Sequence, residues 1–370
     1  MFDAHEMLRE IRRWVEIETP TYAREQVNHL VELVETEFRT LGARTRRVPG
    51  RQGLGDHLLV ESPWGEGPGV LVLSHLDTVH PLGTIERELP FRIEEDRAYG
   101  PGIFDMKGGA YLGLAAFRAL VLHERRTPLP LRWVIVSDEE IGSPTSRELI
   151  RAEGERAKYV LVTEPARDGG RCVTARKGVA RFLMRIHGRP AHSGARHAEG
   201  RSAVRELAHQ ILELEGLTDY DRGVTVNVGV VKGGTAVNVV PAYAEARIDL
   251  RLPDRAAIET FIPRIRERPV HLPGVRVEVE GGLDRPPFEK TEKVAALFAH
   301  ARELAREIGF TLEDTATGGG SDGNFLADRL PVLDGLGVDG DGAHTFEEHL
   351  LISSLVPRAT LLMRLMETLR

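Results

Sequence analysis

The sequence predicts an α/β protein with a mostly parallel central sheet and a second, inserted α+β domain. The chain has 370 residues, more than one hydrophobic core usually supports, so two domains are expected. Strand and helix patterns alternate up to Glu164, which is typical of a parallel sheet. Beyond Glu164 the pattern changes, and toward the C-terminus the earlier alternation returns. We therefore expect the middle block to interrupt the first domain.

The elements of the first domain follow from the spacing of apolar residues. Residues 6–41 repeat apolar side chains at three- and four-residue spacing around Pro20, which predicts two helices. The apolar, β-branched run at 70–74 predicts a fully buried strand. The patterns that follow predict, in order, a helix at 108–122, a strand at 131–137, a helix at 145–151 and a strand at 159–163.

The inserted domain is predicted from alternating strand patterns that are joined by helices. Strands are expected near 179–186, 225–231 and 244–252, with helices near 202–214 and 255–267. A helix at 293–308, a short strand at 331–333 and a helix at 353–369 then restore the first pattern. We assign residues 1–176 and 285–370 to the first domain and residues 177–284 to the insertion. Gly318-Gly319-Gly320 lacks the lysine of a phosphate loop, and we interpret it as a turn that permits close backbone approach.

The composition excludes several classes of protein. Hydrophobic residues make up 41% and charged residues 28%, near the globular average, which argues against disorder and against membrane spanning. The formal charge is −7 and no dense basic run is present, so neither nucleic acid nor a membrane is expected as a partner. Cys172 is the only cysteine, so any metal must be bound by histidines and carboxylates. The N-terminus lacks the apolar core of a signal peptide, and we expect a cytoplasmic location.

Potentially reactive side chains follow the predicted strands of the first domain. They are His75, Asp77, Asp105, Glu139, Glu140 and Glu164. In open α/β sheets ligands bind at the carboxyl ends of strands, because loops from several segments meet there. Neutral histidine and anionic carboxylates suit zinc, and a hydrolytic ion also needs a position for water. A single histidine at a strand end is more often structural than a ligand, but these carboxylates favour a metal site.

Three segments in this order resemble a known family. They are Ser-His-Leu-Asp-Thr-Val at 74–79, Gly-Pro-Gly-Ile-Phe-Asp-Met-Lys-Gly-Gly at 100–109 and Ser-Asp-Glu-Glu-Ile-Gly-Ser at 137–143. They resemble the di-zinc metallopeptidase and aminoacylase family of bacterial glutamate carboxypeptidase, acetylornithine deacetylase and succinyl-diaminopimelate desuccinylase. The resemblance covers nearly the whole chain. It implies a zinc-exopeptidase-like catalytic domain and an inserted, ferredoxin-like lid and dimerisation domain.

The resemblance implies that five residues bind two zinc ions, for which Co²⁺ or Mn²⁺ could substitute. These residues are His75, Asp105, Glu140, Glu164 and His344. Asp105 resembles the bridging carboxylate, with Glu140 and His344 on one ion and His75 and Glu164 on the other. Glu139 resembles the general base, and Asp77 resembles the carboxylate that orients the imidazole of His75. The resemblance also implies a cis peptide bond after Asp105.

Two residues of the insertion resemble family residues that act across a dimer interface. His192, in Gly-Arg-Pro-Ala-His-Ser-Gly at 188–194, resembles a histidine that reaches the partner's active site and holds the oxyanion. Asn238 resembles an asparagine that contacts substrate, although it could also be a turn residue at a strand end. The resemblance therefore implies a homodimer. Other histidines match no ligand position, and we assign them structural or surface roles: His57, His80, His123, His187, His197, His209 and His349.

Three arginines are candidates for binding the carboxylate of a substrate. Arg251 resembles the arginine that holds the α-carboxylate in glutamate carboxypeptidase, and Arg285 resembles a second substrate contact. Arg176 is the third candidate. Each could instead be a surface charge. A guanidinium suits this task because it can donate two parallel hydrogen bonds to a carboxylate.

The predicted reaction is hydrolysis of an amide bond next to a free carboxylate. Glutamate at Glu164 disfavours the aminopeptidase branch of the family, which tends to have aspartate there. Segments 75–83 and 98–109 resemble glutamate carboxypeptidase more than the deacetylases, although Asp-Met-Lys at 105–107 is the deacetylase form. We predict a carboxypeptidase that releases a C-terminal amino acid, with glutamate the first candidate, from an N-acyl or peptidyl substrate.

Two alternatives remain open at this point. The first is an N-acyl-amino-acid deacylase of the acetylornithine deacetylase or succinyl-diaminopimelate desuccinylase type. The second is a binding protein that kept the fold and lost catalysis. Glu139 argues against the second, because a protein that only binds needs no general base.

Overall fold

The computed structural model describes residues 2–370, and within them the chain forms eight α-helices and sixteen strands. The helices are α1 (Ala4–Val15), α2 (Arg24–Thr40), α3 (Gly108–Leu122), α4 (Arg147–Gly154), α5 (Ala203–Glu215), α6 (Arg255–Arg266), α7 (Glu292–Ile308) and α8 (Leu355–Thr368). The strands are β1 (Arg44–Val48), β2 (His57–Glu61), β3 (Gly69–His75), β4 (Arg92–Glu94), β5 (Arg97–Tyr99), β6 (Leu131–Val136), β7 (Ala157–Val162), β8 (Cys172–Arg176), β9 (Gly178–His187), β10 (Thr225–Gly233), β11 (Tyr243–Leu252), β12 (Arg276–Arg285), β13 (Asp314–Thr317), β14 (Val332–Leu333), β15 (Gly340–Asp341) and β16 (His349–Leu351).

The elements predicted from apolar periodicity are confirmed, with ends that differ by a few residues at most. The apolar pattern of the sequence does not predict strands β1, β2, β4, β5, β8, β12, β13, β15 or β16. Most of these strands have only two to five residues. The longest of them, β12, loses its side-chain alternation at Gly281 and Gly282. Neither a short run nor an interrupted one shows a clear two-residue period.

The chain divides into two compact units. The first comprises Met1–Ala175, Lys290–Thr317 and Ser321–Arg370, and the second comprises Arg176–Glu289 and Gly318–Gly320. Each unit has its own hydrophobic core.

The first unit is built on a six-stranded sheet in the order β1-β2-β6-β3-β7-β14. Strands β6, β3, β7 and β14 run parallel to one another, whereas β2 is antiparallel to β6 and β1 is antiparallel to β2. The sheet is therefore mixed and mostly parallel, and the predicted fold class is confirmed. Every residue of β3 is buried, as expected for a strand covered on both faces.

The register of the parallel strands brings several loops to one edge of the sheet. His75 ends β3 and pairs with Val136 at the end of β6, and Leu73 pairs with Val162 at the end of β7. The segments that leave these strands carry Asp77, the Glu139–Ile141 turn and Glu164. Because parallel strands share their direction, these side chains emerge at the same edge.

The second unit has a four-stranded antiparallel sheet in the order β10-β11-β9-β12. Alternate residues of its central strand β9, among them Phe182, Met184 and Ile186, are buried together with residues of α5 and α6. A buried apolar face opposite an exposed polar one is typical of an antiparallel sheet that carries helices on one side. This unit has the α+β arrangement that the sequence predicts. Within residues 2–370, no helix is both long enough and apolar enough to cross a membrane.

Candidate metal centre

Asp105 lies between two histidines in the first unit. One of its oxygens, Oδ1, is 3.2 Å from Nε2 of His75, and the other, Oδ2, is 3.5 Å from Nε2 of His344. His75 and Asp105 are buried, whereas the side chain of His344 is half exposed. A carboxylate whose two oxygens face two separate histidines has the arrangement that a bridge between two cations requires.

A further carboxylate accompanies each histidine. Glu164 Oε1 is 3.6 Å from Nε2 of His75, and Glu140 Oε2 is 3.2 Å from Nε2 of His344. The cluster therefore has two halves, His75 with Glu164 and His344 with Glu140, on either side of Asp105. These are the pairs that the family resemblance implies.

Two groups of ligand atoms in the described residues are close enough to hold a cation. The atoms of His75, Asp105 and Glu140 lie within 4.8 Å of one another, and so do those of His75, Glu139 and Glu164. Glu140 Oε1 is buried and has no hydrogen-bond partner. A buried carboxylate oxygen without a donor is costly unless a cation approaches it. Histidines and carboxylates together also match the ligands that zinc takes in hydrolytic sites, so the cluster fits a divalent metal.

Interactions within the cluster lower the pKa of Asp105 and raise the pKa values of His75, His344 and Glu140. Hydrogen bonds with Asp105 and Glu140 raise the pKa of His344 to about 10. Burial opposes a charge on His75, but the hydrogen bond with Asp105 and the charge of Glu164 outweigh it, and the pKa of His75 lies well above its ordinary value. Burial also raises the pKa of Glu140, to about 8. A divalent cation would be favoured by the same carboxylates and would compete with these protons.

Asp77 connects His75 to the turn that carries the two adjacent glutamates. Its buried carboxylate accepts hydrogen bonds from the backbone amides of Glu139 and Glu140, both at 3.2 Å, and from Oγ1 of Thr21 at 2.8 Å. Nδ1 of His75 lies 2.9 Å from the backbone carbonyl oxygen of Asp77 and 3.6 Å from its carboxylate. The carbonyl of Asp77 is therefore the nearer partner of the imidazole, and its carboxylate holds the glutamate turn. Thr21 was not predicted, because nothing in its own segment marks it.

The same turn has a second buried anchor in Asp138. Its carboxylate accepts hydrogen bonds from the amides and hydroxyls of Thr145 and Ser146.

The peptide bond between Asp105 and Met106 is cis, as the resemblance implies.

His192 and Asn238, two of the predicted site residues, lie next to each other in the second unit. His192 forms an isolated bridge with Val239, and the amide of Ser193 donates to the carbonyl of Asn238 at 3.0 Å. Nδ1 of His192 accepts from the amides of Gly194 and Ala195. The proton of a neutral imidazole at this position is therefore on Nε2, and the side chain is exposed.

The three predicted arginines surround the Gly318–Gly320 segment of the second unit. Nη1 of Arg251 is 3.5 Å from the carbonyl oxygen of Gly318, and Nη1 of Arg176 is 3.3 Å from that of Gly319. A Cβ atom at Gly320 would lie 3.0 Å from Cδ of Arg285, which is tighter than ordinary contact. Arg176 and Arg285 are buried, whereas Arg251 is partly exposed. The glycines thus allow close backbone approach, as the sequence predicts.

Arg251 also forms an ion pair with Asp249, a residue that no motif in the sequence marks. Its Nε and Nη2 donate to the two carboxylate oxygens of Asp249 at 2.7 and 3.2 Å. The two residues lie two positions apart on β11 and therefore on the same face.

Comparisons with known proteins agree with the resemblance. The model of Peptidase family M20/M25/M40 matches residues 71–368. Carboxypeptidase G2 of Pseudomonas sp. (strain RS-16) is 31% identical over 360 residues, which cover 95% of this chain and 86% of that protein. Succinyl-diaminopimelate desuccinylase of Bordetella avium (strain 197N) is 28% identical over 322 residues, which cover 82% and 84%. The fold is shared with a tripeptidase from Staphylococcus aureus subsp. aureus Mu50, at a TM-score of 0.81 and 22% identity over 99% of this chain and 98% of that one. This chain belongs to peptidase family M20/M25/M40.

Proposed function

We propose that the chain is a di-zinc carboxypeptidase that hydrolyses the amide bond next to a free carboxylate, with glutamate as the first candidate for the released amino acid. The observation that carries the proposal is the position of Asp105, whose two oxygens face His75 and His344. His75 and Glu164 would hold one ion, and Glu140 and His344 would hold the other. Two bound zinc ions would supply a polarised carbonyl and a water of lowered pKa. Co²⁺ or Mn²⁺ could use the same ligands.

Glu139 is the proposed general base. It lies on the same turn as Glu140, partly exposed, and its backbone amide is held by the carboxylate of Asp77 at 3.2 Å. A glutamate held in this way can take a proton from the attacking water at its carboxylate and pass it to the departing amine. The side chain of Glu140 is only 6% exposed and faces His344 instead, so the two adjacent glutamates have different surroundings and different proposed roles.

The substrate carboxylate is assigned to the arginines around Gly318–Gly320. Arg251 is the first candidate because it is the most exposed of the three, while Arg176 and Arg285 lie buried beside it in the same unit. Asp249 holds the guanidinium in place through two hydrogen bonds. A carboxylate that approaches the guanidinium can use Nη1 or displace Asp249 from the paired edge.

An N-acyl-amino-acid deacylase remains the second candidate, because the same metal site can serve either reaction. Carboxypeptidase G2 matches at higher identity and coverage than the desuccinylase, which favours the carboxypeptidase. In both reactions the amide lies next to an amino acid with a free carboxylate. Only the group on the acyl side differs.

A homodimer is also proposed. The exposed Nε2 of His192 carries the proton, since Nδ1 accepts two backbone amides. It could thus donate to the oxyanion of a substrate bound by a second copy of the chain. Asn238, next to it, would contact the same substrate.

A cytoplasmic location stays a prediction.

We expect Glu139→Ala to lower kcat by about 10²–10⁴-fold, the usual contribution of a positioned general base. Zinc content, measured by elemental analysis of the purified protein, should remain at two ions per chain. Glu148→Ala is the matched control, since that glutamate is exposed on α4. Loss of zinc in the Glu139 variant would instead make this residue a ligand, as its proximity to His75 and Glu164 allows.

A panel of substrates should separate the two candidate activities. We expect hydrolysis of N-acyl and peptidyl glutamates that carry large acyl groups, with lower kcat/KM for acetylornithine and for N-succinyl amino acids. Initial rates at equal substrate concentration provide the measurement. Activity on the acetyl or succinyl substrates, with none on the N-acyl glutamates, would establish the deacylase and contradict the carboxypeptidase.

Arg251→Ala should raise KM by about 10- to 100-fold, because hydrogen bonds to charged groups contribute roughly 1.5–3 kcal/mol. The effect should be small on a substrate whose α-carboxylate is blocked as an amide. Arg247→Ala provides the control, since it lies four residues earlier on the same face of β11 and is exposed. An equal rise in KM for the free and the blocked substrate would argue that Arg251 does not bind the carboxylate.

Mixed dimers should reveal whether His192 acts across an interface. Glu139→Ala and His192→Ala chains should each be nearly inactive alone and should regain activity when they are refolded together, because a mixed dimer contains one complete site. Light scattering checks the mass of the wild type and of the mixture. An active monomer, or a mixed dimer without activity, would contradict the proposal.

A further inference from the structure

Glu348 is a buried carboxylate that accepts four hydrogen bonds. Its side chain is almost fully inaccessible, with 1% exposed. Oε1 accepts from the backbone amides of Phe104 at 3.0 Å and Asp105 at 2.9 Å. Oε2 accepts from the amide of Gly102 at 3.0 Å and from Nε2 of His80 at 2.7 Å. Three of the four donors therefore belong to the loop that carries Asp105.

These donors account for the burial of a charged group. An ionised carboxylate without partners is costly in the interior, and it has about four lone-pair sites to satisfy. The three loop amides and His80 together supply four donors, one for each of these sites. Hydrogen bonds to a charged acceptor are shorter and stronger than neutral ones, so they restrict the loop more firmly than a serine or asparagine acceptor would. His80, which matches no ligand position in the sequence, serves as one of these donors.

Glu348 also lies on the segment that carries His344, the second histidine that faces Asp105. It follows His344 by four residues, and its carbonyl oxygen accepts from the amide of Gly100 at 3.3 Å. Strand β16 begins at the next residue, where His349 pairs with Tyr99 of β5. The backbone ladder aligns the two segments, and the Glu348 carboxylate then fixes the position of the Asp105 backbone relative to them.

We propose that Glu348 is a positioning residue that sets the place of Asp105 between His75 and His344. The inference rests on the proposed function, in which Asp105 bridges two metal ions. Glu348 itself faces backbone amides and His80, and it acts on the metal centre only through the loop. Residues that orient metal ligands from outside the coordination sphere typically change metal affinity or activity by about 10–100-fold when replaced.

The test compares Glu348→Gln, Glu348→Asp and Glu347→Gln in the full-length protein. Glutamine keeps the size of the side chain but replaces one acceptor oxygen with an NH₂ group, which cannot accept from a backbone amide. Aspartate keeps the charge, but its side chain is shorter by one methylene group, so the carboxylate lies farther from the loop amides. Glu347→Gln makes the same chemical change one residue earlier, on a side chain that is 79% exposed.

Zinc affinity is measured without substrate, by titration of the metal-depleted protein with Zn²⁺ in competition with a chromophoric chelator. We expect Glu348→Gln to weaken zinc binding by about 10–100-fold and Glu348→Asp to weaken it less, with Glu347→Gln unchanged. In the zinc-saturated enzymes kcat should fall for the Glu348 variants while KM stays constant, because no substrate contact is altered. Near-UV circular dichroism and thermal unfolding check that the variants are folded.

Several outcomes would overturn the assignment and leave the metal site intact. Wild-type zinc affinity and kcat in Glu348→Gln would show that the loop does not depend on the carboxylate. An equal loss in Glu347→Gln would show that the buried position is unimportant. Loss of zinc only together with loss of near-UV signal, in both Glu348 variants, would make Glu348 a folding residue. Failure of the wild type to bind Zn²⁺, Co²⁺ or Mn²⁺ would instead reject the proposed function itself.

Discussion

The carboxylate of Asp105 is the interaction on which the rest of the first unit depends. Its two oxygens face histidines from distant parts of the chain, His75 at the end of β3 and His344 near the C-terminus. A single group can face both only if the central sheet, the 102–107 loop and the C-terminal segment are held in fixed relation. The parallel register of β3 with β6 and β7 fixes the central sheet, since it brings the C-terminal ends of these strands to the same edge. The three segments therefore meet at the carboxylate of Asp105.

Six carboxylates in and around the candidate metal centre fall into two groups that differ in their partners. Asp77, Asp138 and Glu348 accept several hydrogen bonds from amides, hydroxyls or an imidazole. Asp105, Glu140 and Glu164 face histidines, and one oxygen of Glu140 has no donor. A carboxylate that is fully satisfied by backbone donors has no remaining need of a cation and can act as an anchor. One that lacks a donor, as Glu140 does at Oε1, gains more from a metal. The hydrogen bonds of Asp77, Asp138 and Glu348 thus mark these three residues as anchors without reference to any relative.

The extent to which the sequence predicts this arrangement depends on the range of the interactions. Strand β3 is predicted because burial on both faces leaves a continuous apolar run, and helix α2 because an amphipathic helix leaves a three- to four-residue apolar period. Strand β1, with the sequence Arg-Thr-Arg-Arg-Val, and the two-residue β15 leave neither signal. The candidate metal ligands were found through the family motifs. Glu348 was not, because its hydrogen bond to the Asp105 amide joins residues 243 positions apart and no local pattern records such a contact. The family resemblance assigns the Asp77 carboxylate to His75, whereas in the structure the backbone carbonyl of Asp77 is the nearer partner of the imidazole.

The substrate selection proposed for the second unit depends on weaker constraints than the candidate metal centre does. Arg251 is partly exposed and already donates to both oxygens of Asp249, so a substrate carboxylate must replace one ion pair with another or bind at Nη1. Exchange of one ion pair for another would cancel most of the gain in affinity, so binding at Nη1, which keeps the pair with Asp249, gives the larger contribution. A neutral amide at Nη1 would accept a weaker hydrogen bond, because its oxygen carries no full charge. Asp249 would therefore hold the guanidinium in place, and Arg251 would distinguish a charged end from an uncharged one.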